Sequence, residues 1–198
     1  MSYKLIKLFL IILLIYISPV FLILTGLISF EYRFYVLEVA TILVILYSLL
    51  TNVQLNKLGF TRKNLRASIK HILPITLIFA LPIVLTLIVG WVRIDNSKIP
   101  WGFYLFFVFI SSPSQEILYR GYLFHLLSEA GLNRLTLIAL SSILYSFVHL
   151  IYLDIPTLVI TLIIGIFWGI NYEKYRNIYG VIFSHSILGA LAILAGII

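Results

Sequence analysis

An acid and a base stand four residues apart inside an otherwise apolar run. Glu116 and Arg120 lie in SPSQEILYRGYLF, residues 112–124, and WGFYLFFVFI, residues 101–110, precedes them. Charged groups at membrane depth are costly and usually face a protein interior or a wet cavity, so they are candidates for function. A spacing of four places both side chains on one face of a helix, where they can pair. The same spacing also fits an ion pair whose only role is helix packing.

Two histidines in later apolar runs extend the candidate site. His149 belongs to YSFVHLIYL, with Tyr145 one turn before it, and His185 belongs to VIFSHSILGALA. A lone histidine in a membrane helix is often only hydrogen-bonded to a neighbouring helix. Inward side chains from separate helices can also build one site. Glu116 with two imidazoles would suffice for water activation or for a zinc ion.

The amino-acid composition is that of a membrane protein. Hydrophobic residues make up 62% of the chain, charged residues 11%, and the mean hydropathy is +1.13. A soluble globular chain carries about 25% charged residues. The sequence therefore predicts an all-α, polytopic transmembrane helix bundle, integral to the cell membrane. It forms one domain over residues 1–198, with its motifs in residues 101–198.

Two features of the composition narrow the chemistry and the partners. The absence of cysteine excludes disulfides, thiolate metal sites and a cysteine nucleophile. The net charge of +7 does not indicate nucleic acid, because the basic residues lie in short loops between apolar runs. The predicted partners are therefore the lipid bilayer and a peptide or membrane protein, and not a nucleic acid.

Seven apolar runs are candidates for crossing a bilayer, which takes about 20 mostly apolar residues. Pro113 in the fourth is predicted to kink its helix and to free backbone carbonyls. Gly165 and Gly169 in the sixth form a GxxxG pair typical of close helix packing. The basic segment 52–70 predicts an interfacial loop with a short amphipathic helix. The runs are residues 5–30, 35–50, 72–91, 101–127, 135–153, 157–171 and 178–198.

The distribution of basic residues predicts the orientation in the membrane. Seven spans place the two termini on opposite sides, and cytoplasmic loops are enriched in Lys and Arg. With the N-terminus in the cytoplasm, three cations fall in outside loops, namely Arg33, Arg93 and Lys98. The inside segments then hold Lys4, Lys7, Lys57, Arg62, Lys63, Arg66, Lys70, Arg134, Lys174 and Arg176. The sequence therefore predicts a cytoplasmic N-terminus and an outside C-terminus.

The motifs together resemble those of the CAAX-protease and bacteriocin-processing family of intramembrane endopeptidases. The first family motif is a double glutamate, three residues and an arginine; the second is Phe-x-x-x-His; the third is His-x-x-x-Asn or Asp. The resemblance extends from about Pro113 to Leu191. It implies a multi-helix membrane enzyme in which the first glutamate and the first histidine activate water. The second histidine and the asparagine would stabilise the oxyanion, and participation of a metal is left open.

The sequence departs from the family pattern at two of these positions. Gln115 stands where the first glutamate is expected, and Gly189 where Asn or Asp is expected; Tyr145 for Phe is a milder change. General-base help is worth about 10²–10⁴-fold, and an oxyanion donor about as much. Glu116 could take over as base, although it points about 100° away from Gln115 on an ideal helix.

The first hypothesis is a membrane-embedded endopeptidase that cleaves a peptide or membrane protein with activated water, near the cytoplasmic or mid-membrane level. His149 would position or activate the water, with Glu116 or Gln115 assisting. His185 would stabilise the oxyanion, and Arg120 would hold Glu116 ionised in its apolar surroundings. Zinc is an open possibility, with His149, His185 and Glu116 as its ligands.

The second hypothesis is a catalytically degenerate family member, acting as a binding scaffold or a bacteriocin self-immunity protein. Gln115 and Gly189 favour it, whereas the retained histidines favour the enzyme. A transporter is a third alternative, but no pair of broken helices or internal repeat supports it. The first two hypotheses both predict a cavity inside the bundle, on which the candidate residues converge. These residues are Glu116, Arg120, His149, His185 and, on the wall of the cavity, Gln115.

Overall fold

The protein is a bundle of seven helical segments in a computed structural model that describes residues 3–197. No strand occurs in that range, and the predicted all-α transmembrane fold is confirmed. Five segments are long and apolar enough to cross a membrane, as expected for a multi-pass membrane protein. In chain order the segments are α1 (residues 3–24), α2 (Phe30–Leu50), α3 (Leu65–Val89), α4 (residues 101–129), α5 (Arg134–Tyr152), α6 (Ile155–Tyr175) and α7 (Ile178–Leu194).

Polar caps fix where the last three helices begin. The side-chain oxygens of Asn133, Asp154 and Asn177 each accept a hydrogen bond from the backbone N–H three residues later. Such a cap satisfies a donor that the first turn leaves unpaired, and contributes about 1 kcal/mol. Asn177 also donates from Nδ2 to the carbonyls of Thr61 (2.7 Å) and Lys63 (2.9 Å). It therefore ties the basic segment to the start of α7.

The first helix is shorter than predicted. α1 ends at Leu24, so the prediction of a span over residues 5–30 is wrong at its C-terminal end. Gly26 follows with a φ of +75°. Glycine adopts this left-handed conformation at little cost, and the conformation ends a helix. The remaining apolar residues therefore belong to the connection that leads to α2.

Two other helix limits also differ from the prediction. α3 begins at Leu65, so the second half of the basic segment forms the first turns of a long helix and not a separate amphipathic one. α7 ends at Leu194 and a turn follows it. The predicted end of this last span, Ile198, lies outside the described residues.

The helix that carries Glu116 alternates between α and π geometry. Its successive pieces are Trp101–Phe106 (α), Phe107–Ser111 (π), Ser112–Glu116 (α), Ile117–Tyr122 (π) and Leu123–Glu129 (α). π turns are rare and occur frequently at functional sites. Each one adds a residue to a turn, and so rotates the side chains that follow by about 100° relative to an α-helix. The two π turns therefore set which residues of α4 face each neighbouring helix.

Two backbone carbonyls of these π turns accept hydrogen bonds from neighbouring helices. Pro113 has no N–H to offer the carbonyl five residues before it, that of Val108. Ser186 Oγ on α7 donates to this oxygen at 3.1 Å, which bears out the predicted release of carbonyls. In the second π turn, the Leu118 carbonyl accepts a hydrogen bond of 2.8 Å from the Tyr16 hydroxyl on α1.

The core of the bundle surrounds α4, where every residue from Leu118 to Phe124 is buried. α5 packs along α6, and α3 packs along α7. A Cβ atom at Gly169 on α6 would lie 3.2 Å from the Ile138 side chain on α5. Because Gly169 has no side chain, α5 and α6 can approach closely here, as the GxxxG pattern predicts.

Candidate active site

Glu116 and Arg120 form a fully buried ion pair on α4. Arg120 Nη1 donates to Glu116 Oε1 at 3.2 Å, and both side chains are 0% exposed. Arg120 Nη2 donates to the Gly165 carbonyl on α6 at 3.1 Å. The guanidinium also lies 4.5 Å from the Tyr145 ring centre and 5.3 Å from that of Trp168. The predicted pair therefore exists, and it holds α4, α5 and α6 together.

Gly165 is what permits this approach. A Cβ atom there would lie 3.4 Å from Arg120 Nη2 and 3.3 Å from the Tyr145 ring. These distances are at or below the short end of those between Cβ atoms and their neighbours in proteins. A larger residue would therefore push the guanidinium away from the carbonyl. The close packing of α6 thus serves the ion pair directly.

His185 on α7 contacts the same carboxylate. Its Nδ1 lies 2.7 Å from Glu116 Oε1, and the residue is only 4% exposed. The Trp168 ring stacks on the imidazole with centroids 4.6 Å apart and an interplanar angle of 23°. Trp168 Nε1 in turn donates to Ser184 Oγ at 2.9 Å. The carboxylate and the indole together fix the orientation of the His185 ring.

Charge balance sets the tautomer of His185. A carboxylate can only accept hydrogen bonds, so Nδ1 carries a proton and donates it to Glu116. Arg120 already neutralises Glu116, and a further positive charge in this buried site would have no counter-ion. The imidazole is therefore neutral, with a lone pair on Nε2. That nitrogen lies 3.3 Å from the Tyr145 hydroxyl.

His149 lies where α5 tightens into a final 3₁₀ turn, His149–Tyr152. Its Nδ1 donates to the Tyr145 carbonyl at 2.8 Å, and its ring stacks against Tyr152. The residue is half-buried. No hydrogen bond in residues 3–197 joins it to Glu116 or Gln115, so the carboxylate partner expected for His149 is found on His185 instead.

A cavity of about 600 Å³ lies beside the two histidines. Its wall is mostly aliphatic and aromatic, and it extends to Arg33 in the first turn of α2 and to Arg93 in the connection before α4. The residues near the site that line it include Phe107, Gln115, Tyr119, Tyr145, His149, Trp168, His185 and Gly189.

The candidate residues converge on this cavity in two ways, because three of them line it and two lie behind His185. His149, His185 and Gln115 line the cavity, as expected. Glu116 and Arg120 do not line it, because they are fully buried behind His185. A ligand in the cavity can contact the imidazoles, whereas the ion pair acts on it only through His185.

The arrangement does not fit the zinc site that the sequence leaves open. Within the described part of the chain, no three His, Cys, Asp or Glu side chains are grouped so that they could hold a metal ion. Glu116 Oε1 already accepts from Arg120 and His185. His149 turns its Nδ1 toward a backbone carbonyl.

The two positions that depart from the family pattern have different surroundings. Gln115 is half-buried on the cavity wall and donates from Nε2 to Ser111 Oγ at 3.3 Å. At Gly189, an added Cβ atom would overlap the Phe107 ring, which also lies against the His185 imidazole. Phe107 therefore fills the space in which an asparagine would hold an oxyanion donor.

Sequence reasoning missed three groups near the site. The stacking of Trp168 on His185 joins residues of two helices and leaves no pattern in either. Tyr145 stands at the Phe position of the second family motif, and that motif gives no role to a hydroxyl. Glu38 on α2 accepts a hydrogen bond of 2.7 Å from Ser114 Oγ. It is an acid inside the second apolar run, so the criterion that selects Glu116 would have found it.

A comparison with family models supports the resemblance. Residues 96–191 match the family described as Type II CAAX prenyl endopeptidase Rce1-like, and this region contains every candidate residue from Gln115 to Gly189. No curated protein and no solved structure matches the chain. Residues 96–191 make up just under half of the chain, and their match supports membership of the CAAX-protease and bacteriocin-processing family, with its intramembrane endopeptidase fold.

Proposed function

We propose that the protein is a membrane-embedded endopeptidase that hydrolyses a peptide bond in an apolar segment held in the cavity. The observation that carries the proposal is the pair formed by Glu116 and His185. A carboxylate fixes Nδ1–H of the imidazole, so the opposite nitrogen has a lone pair beside a cavity large enough for a peptide. This is the arrangement that turns histidine into a general base.

The reaction begins when His185 Nε2 removes a proton from a water molecule. The water oxygen then forms a bond to the peptide carbonyl carbon, and the carbonyl oxygen becomes negative. Collapse of this intermediate breaks the C–N bond, and the proton held by His185 passes to the leaving nitrogen. The products are a carboxyl group and an amine, so atoms and charges balance.

The buried ion pair supports this cycle through His185. Glu116 keeps the tautomer correct and stabilises the imidazolium that forms transiently. Arg120 compensates the carboxylate in the resting state and fixes its position. His149 stands on the same cavity with Nδ1 bonded to a carbonyl, so its Nε2 can orient the water or the substrate carbonyl. The base is therefore His185, in contrast to the role the family resemblance implies for the first histidine.

The proposal is tested with purified protein in liposomes, incubated with a library of apolar peptides in water enriched in ¹⁸O. The expected result is cleavage with one ¹⁸O in each new carboxyl group, and loss of cleavage in His185→Ala. Thermal unfolding shows whether the variant is folded. Equal cleavage by wild type and a folded His185→Ala would overturn the proposal.

A binding scaffold without catalysis is the second candidate, and Gly189 is the observation that favours it. With Phe107 packed over that position, one expected oxyanion donor cannot be supplied there. A scaffold would bind a peptide or membrane protein in the same cavity and leave it intact. In the ¹⁸O experiment it would give no labelled product, while His185→Ala would still support the cellular function.

The orientation in the bilayer belongs to the same proposal. The positive-inside count supports a cytoplasmic segment 52–70, and the cavity reaches the opposite end of the bundle, near Arg33 and Arg93. A substrate would therefore enter from the outside. The chain has no native cysteine, so single introduced cysteines report topology cleanly. In intact cells an impermeant maleimide should label Lys98→Cys and spare Lys63→Cys, and the reverse pattern would contradict the orientation.

A further inference from the structure

Tyr145 connects the two histidines. Its hydroxyl lies 3.3 Å from His185 Nε2, and its backbone carbonyl accepts the hydrogen bond from His149 Nδ1. The residue is 2% exposed, yet it lines the cavity. Its ring is fixed by the Arg120 guanidinium on one side and by an edge contact with Trp168, 5.5 Å between centroids. The hydroxyl is therefore held where it contacts the proposed base, His185, and also borders the cavity.

A hydroxyl can reverse the direction of its hydrogen bond, and the resting site fixes the starting direction. His185 Nδ1–H is already donated to Glu116, so Nε2 accepts and Tyr145 donates to it. The single lone pair of Nε2 is therefore occupied, and a proton from water reaches it through Tyr145, whose hydroxyl passes its own proton to Nε2 as it accepts one from water. Protonated Nε2 then donates to the Tyr145 oxygen. The O–H of Tyr145 is then released and can rotate about its C–O bond toward the cavity.

We propose that the Tyr145 hydroxyl is a catalytic donor that stabilises the oxyanion of the peptide being cleaved. The inference rests on the proposed endopeptidase function. In the first step, water gives a proton to Tyr145 Oη, Tyr145 gives its own proton to His185 Nε2, and the water oxygen bonds to the carbonyl carbon. The imidazolium then donates to Tyr145 Oη, and the Tyr145 O–H donates to the new negative oxygen. Tyr145 stays neutral, because it gains one proton as it loses another. The reverse transfer delivers the proton to the leaving nitrogen when the C–N bond breaks.

This donor acts only when negative charge is present, which is what accelerates a chemical step. An interaction that exists in the transition state and not with bound substrate raises kcat and leaves KM unchanged. The site also needs such a donor, because Phe107 fills the space at Gly189. Tyr145 lies on the opposite side of His185 from Glu116, bonded to the nitrogen that changes its protonation.

The test compares Tyr145→Phe with a matched control, Tyr16→Phe. Each change removes one buried hydroxyl and one hydrogen bond and keeps the ring, but Tyr16 bonds to the Leu118 carbonyl and does not line the cavity. Tyr145→Phe is expected to lower kcat by about 10²–10³-fold with KM unchanged. Tyr16→Phe is expected to keep the wild-type kcat, while its thermal unfolding shifts about as much as that of Tyr145→Phe.

A double-variant cycle separates the proposed role from a structural one. If Tyr145 acts through protonated His185, adding Tyr145→Phe to His185→Ala should cause no further loss of rate. A kcat of Tyr145→Phe within about threefold of wild type would overturn the inference alone, provided that His185→Ala lowers kcat by about 10³-fold or more. Parallel losses of kcat in Tyr145→Phe and Tyr16→Phe would also overturn it. A wild-type protein that cleaves no peptide would overturn both this inference and the proposed function.

Discussion

The two histidines of the site lie in very different surroundings. His185 is almost fully buried in the middle of α7, between Glu116, Trp168 and Tyr145. His149 is half-buried in the last turn of α5, where its ring nitrogens make one intramolecular hydrogen bond, to the Tyr145 carbonyl. A base must be held in one tautomer and one orientation, whereas a residue that orients a substrate can adjust. The contrast therefore separates the base from its helper.

The backbone after each histidine shows the same contrast. α7 continues as a regular helix for more than two turns beyond His185. After His149 the chain turns through Leu153 at a φ of +52°, a left-handed conformation that costs a residue with a side chain about 1 kcal/mol. The segment around His149 is thus held less firmly by its own chain.

The largest expected effect concerns the support of His185. Glu116→Gln removes the only carboxylate that pairs with Arg120 in the described chain, and a buried charge left alone costs about 3–5 kcal/mol of unfolding free energy. Chemical unfolding in detergent measures this loss. Glu116→Gln combined with Arg120→Met should recover most of the stability but none of the cleavage. Recovery of cleavage in the double variant would mean that Glu116 is needed for folding only.

Exchanging the two histidines for alanine tests the contrast itself. His185→Ala is expected to lower kcat by about 10³–10⁴-fold, the upper part of the range for a general base. His149→Ala should lower it by only about 10–100-fold, because the base and its carboxylate remain. Rates are compared at equal amounts of folded protein in the membrane. A larger loss for His149→Ala would return the role of base to His149.

The third prediction concerns the side of His185 that faces Phe107. Gly189→Asn restores the family residue, yet it should destabilise the protein by about 1–3 kcal/mol, because its Cβ atom overlaps a ring packed against His185. Gly189→Asn with Phe107→Ala should relieve the overlap. Thermal unfolding of both variants measures the difference. An unchanged melting temperature for Gly189→Asn alone would show that Phe107 moves freely.

The smallest effect is expected near His149, at the turn between α5 and α6. Hydrogen bonds from Arg93 and from Thr157 hold the pKa of Asp154 well below its ordinary value. Because its folded-state pKa is lowered, the ionised carboxylate stabilises the folded protein at pH values above the unfolded-state pKa of about 3.9. This stabilisation is lost as the pH falls through the folded-state pKa. Asp154→Asn should therefore lower the melting temperature slightly at pH 7, and the difference from wild type should shrink in strong acid. A constant difference down to that range would contradict this role for the carboxylate.

Much of this architecture follows from the sequence. The apolar runs predict seven helical segments, and the spacing of Glu116 and Arg120 predicts their pairing, because both depend on local periodicity. The errors at Gly26 and Leu65 arise because hydropathy alone does not say where a helix must break or begin.

The partner of Glu116 could not be predicted from the sequence. On an ideal helix Glu116 and Gln115 point about 100° apart, and a π turn rotates the chain by about the same angle. The π turn Phe107–Ser111 lies before both residues, so it decides which of them faces α7. Nothing in the sequence shows that this turn exists, so it could not be predicted that Glu116 contacts His185 and has no hydrogen bond to His149 within residues 3–197.

Glu116 fixes His185 as a neutral base whose unprotonated Nε2 accepts a hydrogen bond from Tyr145 beside the cavity. Nitrogen-15 NMR of protein labelled at its four histidines reads this state directly, with His185→Ala identifying the signal. At neutral pH we expect a protonated Nδ1 and an unprotonated Nε2 for His185, and a mixture of tautomers once Glu116 and Arg120 are replaced together. A proton on His185 Nε2 in the wild-type protein would show that Glu116 does not set the tautomer.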